Sequence, residues 1–540
     1  MERSIGEHWA FSVLGAAPKA LGYLALLGLA VFFIRLYQAR MLFRRVQKEY
    51  GIPIMEHSFL FGHLWTIGKV VMKTNFPRDG HSHWNIHLLQ QEFPELASAG
   101  LLYVAVFDPE MMAQFTQDTS LPKWWGQGGV EFKHFTGGRD LVHLEGQEWK
   151  TARAMFNPGF SARNLISLIP AFVEEIQLYK ERLRKVAASG EVARLEEFTT
   201  SLTVDIIGRA VLGVRLNTQT TENPLVSAMI KQLALIYFSL DLRKMLSPTR
   251  HIKHWIYNRQ FRNAMLPLIQ QTVLNYEKIE GPKTVLSLAL KEYVNEVQDY
   301  SARGSIPADF IESVVKHIKI FLFAGHDTTA TTIAYCYYML SMHPDILAKV
   351  RAEHDEVLGP DPAATADRIL ADPTLTNKLP YTHAVIKEIL RLYPPAGGSV
   401  RQGMKGFFLT NPRTGTRYPT EDFMVHSSVT TLHRDPHYFP EPHRFLPDRW
   451  LIRDEADPYH PAKNTWRPFE LGPRHCIGQE LAQLETRLVL ALTVREFDFQ
   501  EMYPADAPEL FGYKAYQVDV PELVATGHVK SKLPVKVTTR

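Results

Sequence analysis

Residues 469–478 read Phe-Glu-Leu-Gly-Pro-Arg-His-Cys-Ile-Gly, and directly after them Leu481, Leu484, Leu488 and Leu492 recur at helical spacing. A cysteine is thus set in a turn that enters an amphipathic helix, where backbone N–H groups can stabilise a thiolate. Gly472 and Gly478 suit a backbone that bends sharply or approaches a flat ligand. Arg474 offers its charge to an anionic group beside the sulfur. The plainer alternative is a buried free cysteine in an ordinary turn. Cys336 and Cys476 are the chain's 2 cysteines, so one disulfide is arithmetically possible, but such sparing use suits a reducing compartment. Cys336, in an apolar stretch with helical periodicity, is most simply a small buried residue.

Upstream, Ala20–Ile34 reads ALGYLALLGLAVFFI without a charge, and apolar character reaches back to Ala10, interrupted by Pro18 and Lys19. A helix over residues 16–36 just spans a bilayer. A cleavable signal peptide and a buried core helix compete with that anchor, but the basic residues lie mostly after the run and no small-residue cleavage site follows Ile34. Arg35, Arg40, Arg44, Arg45 and Lys48 follow the span and only Arg3 and Lys19 precede it, a bias that keeps the bulk of the protein cytosolic. The absence of Asn-x-Ser/Thr sequons agrees.

Beyond residue 50 no second such run and no repeat is found. Leu165–Lys185 and Asp309–Leu340 carry apolar residues three and four apart, and short extended segments cluster at Leu101–Phe107 and Gly398–Val425. Leu358–Asp372 and Asp454–Lys463, rich in Pro, Gly and Asp, read as surface loops. The expectation is a mainly α fold with a small β-rich part behind a single N-terminal transmembrane helix. Residues 1–45 are expected to form the anchor and its basic flank, and residues 46–540 one large, mainly helical domain. With 60 Lys+Arg against 57 Asp+Glu, nothing calls for nucleic acid as a partner.

The string Phe469-x-x-Gly472-x-Arg474-x-Cys476-x-Gly478 resembles the haem-ligand loop of the cytochrome P450 monooxygenases. The resemblance implies haem b with Cys476 as axial thiolate, Phe469 packed on the sulfur side and Arg474 on a haem propionate. Sulfur ligation pushes electron density to the iron and favours O–O cleavage. Glu470, Leu471 and Pro473 fill variable positions. Ala324-Gly-His-Asp327-Thr328-Thr329 resembles the family's oxygen-binding helix, with Asp327 and Thr328 delivering protons for oxygen activation. A mid-helix threonine bonding one turn back loosens the ladder there. Glu388-Ile-Leu-Arg391 and Pro442-His-Arg444-Phe445 resemble the structural Glu/Arg/Arg cluster that steadies the haem loop. Trp149-Lys-Thr-Ala-Arg153 matches a propionate-binding pair, and Arg401 a further propionate ligand by analogy.

The same resemblance, covering about residues 50–540, implies dioxygen and an apolar small-molecule substrate. Its lining candidates are Trp124, Phe132, Phe321, Ala324, Ala396, Val400 and Phe511. Gly126-x-Gly128-Gly129 is followed by Glu131 where a dinucleotide fingerprint has glycine, so it gives no support for a nicotinamide or flavin site, and the resemblance implies that electrons come from a separate NADPH reductase. His81, His83 and His87 read as surface or loop histidines rather than ligands. The Cys-Ile-Gly-Gln-Glu-Leu-Ala segment and Thr493–Asp498 look most like fungal members of secondary-metabolite pathways, of the sterigmatocystin or aflatoxin polyketide type. Endoplasmic reticulum is the implied location. Fatty-acid or alkane hydroxylation, haem-thiolate isomerisation or dehydration, and a membrane haem sensor or electron carrier are the alternatives. The acid–alcohol pair argues against isomerisation, and a substrate chamber against the sensor or carrier.

Overall fold

The computed structural model describes residues 3–540 apart from 53–54, 57, 75, 78, 94–102, 125–126, 237–246, 279–280, 297–305 and 520–525. Helix α1 (Arg3–Tyr50) is longer than its apolar run predicts, and within it Gly22–Tyr50 is long and apolar enough to cross a membrane. Leu24, Leu27, Phe32 and Ile34 are exposed, whereas Phe43 and Val46, further along the same helix, are buried. They pack with Phe423, Val425 and Leu409, so the helix that carries the apolar span is also built into the body of the protein.

Seven helices matter for the site: α1, α2 (Gly146–Phe156), α3 (Ala162–Ser189), α4 (Leu195–Leu212), α5 (Ala308–Met342), α6 (Pro380–Leu392) and α7 (Gln479–Thr493). Helix α3 buries Leu165, Leu168, Ile169, Phe172, Val173, Ile176, Tyr179 and Leu183, one stripe at spacings of three and four. It stops at Gly190, which takes the left-handed conformation at φ 68°. Helix α5 differs in kind. Every residue from Ala330 to Leu340 is buried, the pattern of a helix surrounded by protein on all sides. Its crossing with α4 is close enough that a Cβ on Gly325 would lie 2.4 Å from Ile207 Cδ1.

The strands are short and peripheral. Tyr103–Val106 pairs in parallel with Met424–Ser427, which pairs antiparallel with Val400–Gln402. A second sheet joins Ala193–Arg194, Pro534–Thr539 and Phe497–Glu501. Phe408–Thr410 with Arg417–Pro419, and Gln517–Val518 with His528–Val529, form two-stranded hairpins. The predicted extended segments are therefore present, residues 101–102 lying outside the described ones. The expected loop at 358–372 instead holds a helix, Thr365–Ala371, because Asp361 caps the preceding turn and Ala366 and Ile369 find apolar cover.

Substituting Gly325→Val should lower the thermal unfolding midpoint, corresponding to about 1–3 kcal/mol of overpacking. Adding Ile207→Ala should recover part of that loss; strictly additive losses would contradict the close crossing.

Candidate active site: a cysteine loop facing a threonine-bearing helix

Cys476 sits two residues before Gly478, the residue that precedes the first turn of α7. Its N–H donates to the Phe469 carbonyl at 2.9 Å, and the His475 N–H donates to the Gly472 carbonyl at 3.1 Å, so the loop closes on itself. Gly472 has φ 86° and presses on the chain at Thr116, whose carbonyl oxygen would be 2.1 Å from an added Cβ. No other residue fits there. The sulfur faces a cavity of about 340 Å³. The Cys476 side chain is open to the cavity, yet the protein enclosing that cavity raises the thiol pKa, while the N–H groups of Gly478 and Gln479 and the Arg153 guanidinium act in the opposite sense.

The opposite wall belongs to α5. Ala324, Thr328, Thr329 and Thr332 line the cavity. The Thr328 hydroxyl donates to the Ala324 carbonyl and the Thr332 hydroxyl to the Thr328 carbonyl, both at 2.9 Å, two consecutive backbone attachments that bend or loosen a helix. Asp327 points elsewhere. It is buried and accepts from the Thr526 hydroxyl, with His528 Nε2 at 3.5 Å from its Oδ1. Ile386 and Leu390 of α6, Ala396, Ser399, Ala482 and Thr486 complete a predominantly apolar slot.

One edge of that slot is cationic. Lys123 and Arg474 line it, and the backbone of Lys123 pairs antiparallel with that of Arg401. Burial, and then Arg401 and Arg474, push the Lys123 amine well below its ordinary range. Arg401 is buried and its Nε has no hydrogen-bond partner. Arg474 donates to the carbonyls of Leu144 and Val142 at 2.9 and 3.1 Å and lies over the Trp149 ring at 4.5 Å. Arg153 donates to the His475 carbonyl at 2.9 Å. A thiol, an apolar slot and clustered cations with an unsatisfied guanidine nitrogen fit a flat apolar ligand with anionic substituents, which is the chemistry of haem. Nothing local in the sequence marks Lys123, which stands beside the expected lining residue Trp124.

Behind the cysteine lies a buried polar frame. Glu388 binds Arg391 through two parallel hydrogen bonds of 2.9 and 2.8 Å, and both side chains are fully buried. Arg391 also donates to the carbonyls of His433, Pro442 and Arg444. The predicted third member is corrected here. The Arg444 side chain is exposed and pairs with Glu441; the second cation on Glu388 is Arg449, at 3.3 Å, joined by the Trp450 indole N–H at 2.9 Å. Burial pushes the Glu388 carboxyl up, but Arg391 and Arg449 outweigh it and hold it below the usual range.

His433 carries this frame to the loop: its ring nitrogens meet the Arg391 carbonyl at 3.2 Å and the Arg467 N–H at 3.0 Å. Arg467 in turn binds Glu470, which accepts from Ser399 and Ser427 hydroxyls at 3.0 and 2.5 Å. Glu470, at φ 55°, is therefore an anchor of the loop rather than a filler at a variable position.

Of the expected lining residues, Ala324 and Ala396 line the cavity, whereas Trp124, Phe132, Phe321, Val400 and Phe511 do not. Phe321 packs between Phe156 and Phe160 in the core. Phe132 lies against Phe323 and His143, and Val400 gives its carbonyl to Arg401. Phe511 stacks on His443 beneath Arg434. Phe321 is in the core and Phe132 packs against it, because burial rewards the area of a large ring, whereas Phe511 is half-buried on His443. His81, His83 and His87 are also buried rather than superficial, and among the described residues no group of three or more His, Cys, Asp or Glu side chains could hold a metal ion. Both cysteines are free.

Residues 61–515 match the family model described as cytochrome P450. The chain is 39% identical to cytochrome P450 monooxygenase polC of Polytolypa hystricis, over 96% of this chain and 95% of that one. It is 34% identical to cytochrome P450 monooxygenase acrF of Aspergillus aculeatus, over 81% and 91%. Its fold matches the crystal structure of the cytochrome P450DA heme domain with a TM-score of 0.68 at 20% identity, covering 91% and 96% of the two chains.

Arg449→Ala strips Glu388 of one of its two buried cations and should cost about 3–5 kcal/mol, read as lower haem content per chain and a lower unfolding midpoint. Arg444→Ala, at an exposed pair, should stay within about 0.5 kcal/mol of wild type. The reverse ranking would contradict the assignment of Arg449.

Proposed function

The chain belongs to the cytochrome P450 family, a haem enzyme with cysteine-thiolate ligation, and on that premise we propose that it inserts one oxygen atom from dioxygen into an apolar small molecule of polyketide type, with electrons from a separate NADPH reductase. The observation that carries this reading is the facing of Cys476 and Thr328 across one apolar slot with a cationic edge. Haem, when bound, supplies oxygen activation. The protein's residues supply the rest.

Cys476 provides the thiolate; burial raises its pKa, and the N–H groups of Gly478 and Gln479 with the neighbouring Arg153 work against that rise. Lys123, Arg401 and Arg474 hold the anionic edge of the cofactor, with Trp149 and Arg153 supporting Arg474 and the loop. Thr328 offers a hydroxyl on the cavity side of α5, and Asp327, next to it in sequence but turned toward Thr526 and His528, is the buried carboxylate that would resupply Thr328 with protons for delivery into the slot. The small side chains of Ala324 and Ala396 leave room for the substrate. Residues 1–45 serve as a membrane anchor with a basic flank and 46–540 as the catalytic domain, with the endoplasmic reticulum as the setting and the domain on the cytosolic side. The similarity of the chain to two fungal monooxygenases supports the oxygen-inserting activity, and the preference for a polyketide-type substrate over a fatty acid rests on the resemblance of the Cys476–Ala482 and Thr493–Asp498 segments to fungal members of such pathways.

Apolar polyketides that enter the slot should shift the haem Soret band, and their conversion should require both the reductase and dioxygen. Thr328→Ala should retain haem and substrate binding yet divert reducing equivalents to hydrogen peroxide, raising the peroxide released per NADPH several-fold. Unchanged partition between peroxide and product would contradict the proton-delivery role of Thr328.

A further inference from the structure

Asp327 is held from behind by residues that no motif singled out. His528, on the second strand of the C-terminal hairpin, lies with Nδ1 at 3.1 Å from Glu196 Oε1 and Nε2 at 3.2 Å from the Thr526 hydroxyl. The Thr526 hydroxyl donates to Asp327 Oδ2, and His528 Nε2 also stands 3.5 Å from Asp327 Oδ1. Glu196 receives further donations at the same oxygen, from the Thr331 hydroxyl at 2.8 Å and the Val529 N–H at 3.3 Å. Glu196, Asp327, Thr526 and His528 are all buried.

The directions of these bonds restrict the protonation state. Glu196 only accepts, and Thr526 has a single hydroxyl proton, which goes to Asp327. Each end of the imidazole therefore meets an acceptor, and only a doubly protonated ring donates at both nitrogens. Two buried carboxylates without a cation between them would be strongly unfavourable.

We propose that His528 is a positioning residue: an imidazolium clamped between Glu196 and Asp327 that, through Thr526, fixes the Asp327 carboxylate behind the oxygen-side helix and so sets how Asp327 serves Thr328. The clamp ties α4, α5 and the C-terminal hairpin together at one point. This inference rests on the proton-delivery role proposed for Asp327 and Thr328. Burial acts to lower the His528 pKa, but Asp327 and Glu196 outweigh it and raise the ring to about 9. The other titratable groups around the clamp are His81 with its neighbour Asp519, Lys532, and Tyr335 and Tyr503 on the Glu196 side.

The sign of the pH dependence follows. A histidine raised from 6.5 to about 9 contributes stability that is fully present below 6.5 and is lost as the pH rises through about 9. In the haem-loaded full chain, wild type should thus lose a component of its unfolding midpoint across that interval which His528→Gln lacks at every pH. Nitrogen-15 spectra of histidine-labelled protein, with the His528 signal identified by its loss in His528→Gln, should show a doubly protonated ring at neutral pH. Asp327→Asn should shift its titration to lower pH. A neutral ring at neutral pH in wild type would overturn the clamp.

The functional arm measures peroxide released per NADPH with reductase, dioxygen and no added substrate. His528→Gln should raise that ratio toward the level of Thr328→Ala, and Thr526→Val, which keeps the imidazole, serves if His528→Gln does not fold. If Thr328→Ala raises the ratio while both clamp variants leave it at the wild-type value, the positioning role of His528 fails and proton delivery stands. If Thr328→Ala also leaves it unchanged, the proton-delivery reading itself fails.

Discussion

A fully buried carboxylate, Glu388, is the constraint on which the cysteine loop depends. Two guanidinium groups, an indole N–H and the Leu446 backbone N–H converge on it. A charge so placed is tolerated only when each lone pair is satisfied, and satisfying them fixes the backbone at 433, 442 and 444 through Arg391. From there the order passes through His433 to Arg467 and Glu470, and so to the segment that carries Cys476. Burial keeps the His433 ring well below its ordinary pKa, at about 3, as suits a ring that accepts from the Arg467 N–H while its other nitrogen meets a carbonyl. The frame does no chemistry. It makes the position of one sulfur a property of the whole core.

Helix α5 answers from the other side by dividing its faces. Its cavity face is small and hydroxylated, at Ala324, Thr328 and Thr332. Its far face carries Asp327 toward the C-terminal hairpin, and its crossing with α4 is tight enough to exclude a side chain at Gly325. Close packing against α4 at Gly325 and complete burial from Ala330 to Leu340 hold the helix in place beside the slot.

Much of this was legible in the sequence, for identifiable reasons. Cys476, Gly472, Arg474 and the Asp327–Thr328 run are local patterns in which spacing itself does the work, and the Glu388–Arg391 pair lies within one helical turn. Arg449 was missed because Pro447-Asp-Arg449-Trp450 repeats, five residues on, the Pro-x-Arg-aromatic pattern of Pro442-His-Arg444-Phe445, and only the fold decides which arginine turns inward. Phe321 and Phe511 were misplaced because an aromatic residue near a motif carries no sign of whether it faces a cavity or a core. Thr526 reaches Asp327 from 199 residues away in the chain, with His528 beside it, and Glu470 owes its role to a left-handed backbone and to two serines distant in sequence. Such contacts have no local signature.

The central claim is that Cys476 holds the haem iron as a thiolate. The direct measurement is the carbon-monoxide difference spectrum of the reduced protein, wild type beside Cys476→Ser. A strongly red-shifted Soret band in wild type that disappears in the variant while bound haem persists is the result expected. A well-folded, haem-loaded wild type without that band, or a variant that keeps it, would contradict the assignment.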